Sequence, residues 1–300
     1  MRNFKNYSLI IAAGCLWGTI GLFVKLLEQA GSSSEYTTFL RMFFAFVMLL
    51  VITLIRDGAG AFKTDRGTLI SCILLGFVSM SLNNLFYARA VSSLGMSLAA
   101  ALLYSAPIFT SIESRILFKE HIGKNKITAI ALSALGCVLA ATGGNFSSVQ
   151  VSGIGILFGV GAAFAYSTQN IFGRLATNKT SAFVVSTYQF MFASIFTLLV
   201  GRPFSTVADP LDPKILMYGA LFALIPTTIA YLLYFSGVKG ITESSKVPVM
   251  AAMELVVATI LGIVVFREDF SVISIAGALL ILVSIAIMSR GGEEKNGDPE

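Results

Sequence analysis

Glu254 lies near the middle of an apolar run, residues 244–266, in a chain that keeps most of its charge at the ends of such runs. A carboxylate at that depth costs at least a few kcal/mol in hydrocarbon unless it is neutral, paired or in water. It is therefore suited to exchanging a proton or to holding a substrate ammonium; the plainer alternative is that it braces a neighbouring helix. Lys246 shares the run, and on a helix it stands about 12 Å away along the same face. Aromatic and amide side chains form a second set away from the run ends: Trp17, Asn84, Tyr87, Tyr104, Tyr166, Asn170 and Tyr231. Asn83, Gln169 and Tyr234 adjoin them, and Tyr231 with Tyr234 shares one helical face, as does Asn84 with Tyr87. Interfacial belts explain many membrane Tyr and Trp residues but not the amides beside them. An aromatic pocket with a few amides suits an amphipathic small molecule, and its rings can stack on a cation. Pro107, Pro226 and Pro248 interrupt helical runs. Each frees a backbone carbonyl, which a membrane tolerates only where protein or cavity water satisfies it.

The other buried-depth charges rank lower. Arg41 stands about 9 Å below the end of its run by helical rise, placed either to face an anionic group or to reach outward. Glu113 is a second acid near a run end, while Lys25, Arg89 and Arg115 are close enough to an interface to snorkel. Several chemistries are missing. The single histidine, His121, sits in a charged loop, and Cys15, Cys72 and Cys137 are scattered within apolar runs without paired spacing. No HExxH and no GxxxxGK[ST] occurs. An intramembrane enzyme, a metal site, a bound cofactor and direct drive by ATP are therefore not expected.

The elements that position these residues follow from composition. Of 300 residues, 56% are hydrophobic and only 12% charged, with mean hydropathy +0.83. A soluble domain carries about 25% charged residues, so the solvent of this chain is lipid. The net charge of +5 then reads as membrane orientation, not as a nucleic-acid partner. Ten runs are long enough to cross a bilayer: about 7–27, 35–55, 68–91, 97–118, 124–142, 153–173, 181–201, 214–237, 244–266 and 271–289. Thirteen Lys and Arg fall on the side of the N-terminus and three on the other, with five inside or at the ends of runs. That bias puts both termini in the cytoplasm. Residues 290–300 are polar and are expected to be a disordered tail.

The chain also repeats itself. Trp17, Phe23 and Lys25 in LWGTIGLFVKLL recur as Tyr166, Phe172 and Arg174 in AYSTQNIFGRLA; Tyr87 recurs as Tyr234, and Glu120 as Glu268. Pro107 falls opposite Glu254 in the same overlay. With five runs per half, the second half must lie upside down, an all-α integral membrane fold of ten helices in two inverted five-helix repeats (1–146 and 147–289). FYARAVSSLGMSLAAALLYSAPIFTSIESRILFKEHI and AYLLYFSGVKGITESSKVPVMAAMELVVATILGIVVFRED resemble the ends of the two repeats in EamA-type members of the drug/metabolite transporter superfamily. The resemblance covers about residues 7–289 and implies a central cavity with no prosthetic group. One departure is that many members carry Glu-Pro where Glu254 here precedes Leu255. The expected function is a secondary transporter in a bacterial inner membrane, moving a small-molecule substrate such as an amino-acid-like solute by alternating access, as exporter or exchanger. Movement is then either facilitated or coupled to an ion gradient, and Glu254 is the residue best suited to proton coupling. A carrier of organic cations or amines is the alternative substrate class, and a non-transporting scaffold or receptor the alternative outside transport. Oligomeric state is left open.

Overall fold

Short polar side chains turn the chain into its helices. Ser33, Asp65, Ser152, Ser181 and Asp212 each accept a backbone N–H two or three residues ahead, satisfying donors that the first helical turn leaves free. The structure, a computed structural model, describes residues 2–144, 152–241, 243–265 and 271–290. Expectations for Glu268 and for residues 291–300 of the tail lie outside the described residues.

Among the described residues the helices fall into ten consecutive segments and no strand occurs. The first is Arg2–Trp17 and Ile20–Gln29, and the second Ser34–Asp57. The third runs through Arg66–Leu74, a π-helical stretch Leu75–Leu82 and Asn83–Leu94. The fourth is Met96–Leu103 with Ala106–Phe118, and the fifth Lys124–Thr142. The sixth and seventh are Gly153–Thr177 and Ala182–Gly201. The eighth is Pro213–Ala223, a π-helical stretch Leu224–Ile229 and Ala230–Val238. The ninth begins as a 3-10 turn, Ser244–Lys246, and continues as Val247–Ala251 and Met253–Val264; the tenth is Val272–Arg290. Eight of these, all but the fourth and sixth, are long and apolar enough to cross a membrane. The fourth is diluted by Tyr104, Ser105, Pro107, Glu113 and Arg115, and the sixth by Ser167, Thr168, Gln169 and Asn170 near its centre. Ile55, Ile116, Leu157, Leu199, Val264 and Val272 leave at least 70% of their surface exposed, an outward face suited to lipid and not to water. The protein is a multi-pass membrane protein.

Packing pairs the two halves of the chain. The fifth segment lies on the tenth, the second on the seventh, the third on the sixth and the first on the eighth; the fourth and ninth pack on the sixth and first respectively. One core cluster, with Trp17, Phe190, Tyr231, Tyr234 and Phe235 among its rings, fills the centre. A second, Phe23, Leu27, Tyr36, Phe39, Leu40, Ile215 and Phe222, joins the first, second and eighth segments away from the N-terminus.

The breaks have local causes. The sequence predicts an uninterrupted first helix over 7–27, but it breaks after Trp17. A Cβ at Gly14 would sit 2.7 Å from the carbonyl oxygen of Ala251, and one at Gly18 2.6 Å from that of Glu254. The two glycines, one turn apart, let the first segment touch the backbone of the ninth where the ninth is itself interrupted at Ala252. In both π-helical stretches a hydroxyl bonds back five residues: Ser81 donates to the carbonyl of Gly76 (2.9 Å) and Thr227 to that of Phe222 (3.0 Å). Pro226, lacking a backbone N–H, lies within the second stretch.

Candidate functional site

The interruptions converge on a cavity of about 120 Å³. Trp17, at the first break, and Tyr166, in the sixth segment, line it together with Asn84, Asn170, Tyr231, Pro248 and Glu254. Ile20, Arg41, Ser79, Met80, Asn83, Gln169, Tyr234 and Ala251 complete the lining. A smaller void of about 20 Å³ adjoins, bounded by Tyr104, Pro107, Cys137, Tyr166, Pro248 and Glu254 among others. It is large enough for about one water. Glu254 thus stands in the wall between two spaces, and the hydroxyl of Tyr104 donates to its Oε1 at 3.3 Å.

The rest of the lining is pre-set by hydrogen bonds. Tyr234 donates to Asn170 Oδ1 (2.6 Å), and Asn170 Nδ2 donates to Thr110 (3.2 Å). Gln169 and Gln189 exchange reciprocal bonds of 3.4 and 3.0 Å across the sixth and seventh segments. Asn83 donates to the carbonyl of Ala162 (3.2 Å), and Ser79 shares a 2.7 Å bond with Thr168. Trp17 packs on Tyr231 and Tyr234, with ring centroids 5.1 and 5.2 Å away. Among the described residues its buried indole Nε1 has no hydrogen-bond partner, which costs free energy in an apolar surrounding unless something entering the cavity accepts the bond. Arg41 is the cation of the cavity. Its Nε donates to Thr227 Oγ1 at 3.0 Å and its guanidinium stacks 5.0 Å from the ring centroid of Phe222, leaving the remaining donors of the fork for a ligand.

Eleven of the residues singled out in the sequence meet in the larger cavity: Trp17, Asn84, Tyr166, Asn170, Tyr231, Pro248 and Glu254, with Arg41, Asn83, Gln169 and Tyr234. Tyr104 and Pro107 meet in the smaller one. Tyr87 lies one turn beyond Asn84 and lines neither, and Pro226 belongs to the second π-helical stretch. Lys246 is elsewhere. It is buried at the start of the ninth segment, where Glu243 Oε2 lies 2.5 Å from its ammonium. Its depth in an apolar run suggested a cavity residue; an acid three residues earlier holds it instead. Ser79, Met80 and Ile20 reach the cavity without a signal in the sequence, because a π-helical stretch and a broken helix shift which residues share a face. Among the described residues no group of three or more His, Cys, Asp or Glu side chains is placed to hold a metal.

The model of the EamA-like transporter family matches the chain twice, over residues 4–142 and 153–290. The chain is 25% identical over 289 residues to an uncharacterized transporter of Archaeoglobus fulgidus, covering 94% of this chain and 95% of that one. It is 22% identical to the uncharacterized inner membrane transporter YicL of Salmonella typhimurium, with 95% of each chain covered. It is 25% identical to the uncharacterized transporter YwfM of Bacillus subtilis, with 94% and 93% covered. A solved crystal structure superposes with a TM-score of 0.79 at 17% identity over 94% of this chain and 95% of its own, a likeness of fold alone. With a family model matching both halves across the helices that build the cavity, this chain belongs to the EamA-like transporter family.

Proposed function

We propose that the protein is a secondary carrier for a small amino-acid-like solute, crossing a bacterial inner membrane ten times as two inverted five-helix repeats, with both termini cytoplasmic. The observation that carries the substrate class is the pairing of Arg41 and Glu254 in the lining of one small aromatic cavity. A carboxylate of the solute matches the guanidinium fork. Its ammonium matches Glu254, with Trp17, Tyr231 and Tyr234 beside it. The unpartnered indole N–H of Trp17 supplies a further donor. A solute bearing only a positive charge would leave Arg41 without a counter-charge, which disfavours organic cations.

The cavity draws its lining from both halves, which supports alternating access by rocking one repeat against the other. Glu254, facing two spaces, is the residue suited to take up a proton on one side and release it on the other, with export or exchange as the outcome. Thermal unfolding of the detergent-purified protein tests the substrate class. Millimolar zwitterionic amino acids are expected to raise the midpoint by mass action, while the matching amines and N-acetylated forms leave it unchanged. Stabilisation by amines alone would transfer the reading to organic cations.

A further inference from the structure

The lining of the cavity stops at Asn170 on the sixth segment, Tyr234 on the eighth and Pro248 on the ninth. One or two turns further toward the N-terminal side, a buried ionic cluster draws on the sixth segment, the start of the ninth, the fifth, and the loop between the fourth and fifth. Glu120, 5% exposed, is its centre. Its Oε1 accepts from Arg174 Nη1 at 2.6 Å and from the backbone N–H of Ser244 at 2.7 Å. Its Oε2 accepts from the backbone N–H and the hydroxyl of Ser245 at 3.3 and 3.0 Å. Arg174 also donates to Ser244 Oγ (3.0 Å) and stacks 4.0 Å from the centroid of the Phe118 ring. Beside it Lys126 pairs with Glu243, which pairs in turn with Lys246.

Two properties set this cluster apart from helix-end pairing. Glu120 and Lys126 come from the first half of the chain, and Arg174, Glu243, Ser244 and Ser245 from the second. Glu120 also caps, in trans, the first N–H groups of the segment that carries Glu254. A buried carboxylate with all these donors is held tightly, and removing one partner leaves an uncompensated charge. The cluster therefore resists separation of the halves on that side until all its bonds are released together.

We propose that Glu120, Arg174 and the Ser244–Ser245 backbone form a releasable latch that closes the N-terminal-side entrance of the cavity, tying its opening to the position of the segment bearing Glu254. The inference rests on the alternating-access reading above and extends it to the residues that hold one gate. The test uses the full chain with Cys15, Cys72 and Cys137 replaced by alanine and nitroxide labels at Lys124→Cys and Lys239→Cys, exposed positions on opposite sides of the seam. Pulsed electron resonance in lipid bilayers then reads the distance across it. The parent should give one short population. Glu120→Gln and Arg174→Gln should each raise the ratio of long to short populations by about tenfold or more, the change that about 1.4 kcal/mol produces. Ser245→Ala, which removes a single hydroxyl bond, should move it in the same direction by less. Unchanged distances in these folded variants would overturn the latch. Should the charge variants not fold, Ser245→Ala and Arg174→Lys decide alone, and a parent-like distribution in both overturns it. The readout needs no substrate. A shifted distance with no solute flux would break the carrier reading and leave the latch, whereas flux without a shift would do the reverse.

Discussion

The fourth and ninth segments are one device built twice with different chemistry. Each is interrupted near its middle, at Tyr104–Ser105 in the first half and at Ala252 in the second. Two positions past the break the first half has Pro107 and the second Glu254. Both border the same small void. The third and eighth segments repeat the pattern: both start on an aspartate cap and both pass through a π-helical stretch, followed by amides in one (Asn83, Asn84) and phenols in the other (Tyr231, Tyr234). A duplicated scaffold thus keeps its backbone irregularities and lets side chains diverge. The first half contributes shape, a guanidinium and an indole, and the second the acid.

If that division is real, the largest effect belongs to the position where the halves differ in charge. Glu254→Gln keeps size and hydrogen bonding and removes titration. It is expected to abolish solute flux driven by a pH gradient and to weaken counterflow exchange at low substrate, while expression survives. Wild-type gradient-driven flux in reconstituted vesicles would take Glu254 out of the mechanism. Next comes the first break. Trp17→Ala removes two ring contacts, and with contacts of this kind worth about 0.5–1.5 kcal/mol each beyond burial, flux at low substrate should fall by roughly tenfold. Trp17→Phe should recover part of it. An alanine variant that transports normally would make Trp17 a packing residue.

Pro107→Ala should matter far less, because a proline two positions into a helix already suits its backbone. Stability is expected within about 1 kcal/mol of wild type and flux close to normal. A collapse as large as that of Glu254→Gln would mean that the two halves are not divided in this way. The smallest effect belongs to the aspartate cap of the third segment. Asp65 accepts from the hydroxyl and N–H of Thr68 and from Lys179, and these bonds lower its pKa from 3.8 to about 2. A depressed folded pKa gives a contribution present above the unfolded value and lost as pH falls toward about 2. Asp65→Ala should therefore melt slightly below wild type at neutral pH, and the gap should close between about pH 4 and 2. A gap independent of pH would show that the charge of Asp65 is immaterial.

The sequence made the helices legible because lipid leaves so little choice: long apolar runs between short polar links must be helices. It also exposed most of the cavity, since amides and rings at mid-depth have few other reasons to be there. The ionic cluster was not legible. Glu120, Arg174 and Ser245 are far apart in the chain and near run ends, where charge is ordinary, so nothing local marks them as one group. Lys246 was misleading for a related reason. Depth in an apolar run measures position along the chain, whereas the 3-10 turn at Ser244–Lys246 starts the ninth segment inside the protein beside Glu243. Arg41 carried a partial signal, and only the fold shows that it shares a cavity with Glu254.

The two sides of the cavity are joined by contacts of different thermal character. On the N-terminal side the halves meet through Glu120, Arg174 and Ser245, while on the far side Phe23 stacks on Phe222 at 5.8 Å within an apolar cluster. Contact between apolar groups carries a heat-capacity change and weakens on cooling, whereas hydration of charge becomes less favourable on warming. If the halves rock as proposed, their access equilibrium depends on temperature through both kinds of contact. Opening at the Phe23–Phe222 side should carry the larger heat-capacity change, and the transport rate should then follow a curved temperature dependence instead of a straight Arrhenius line.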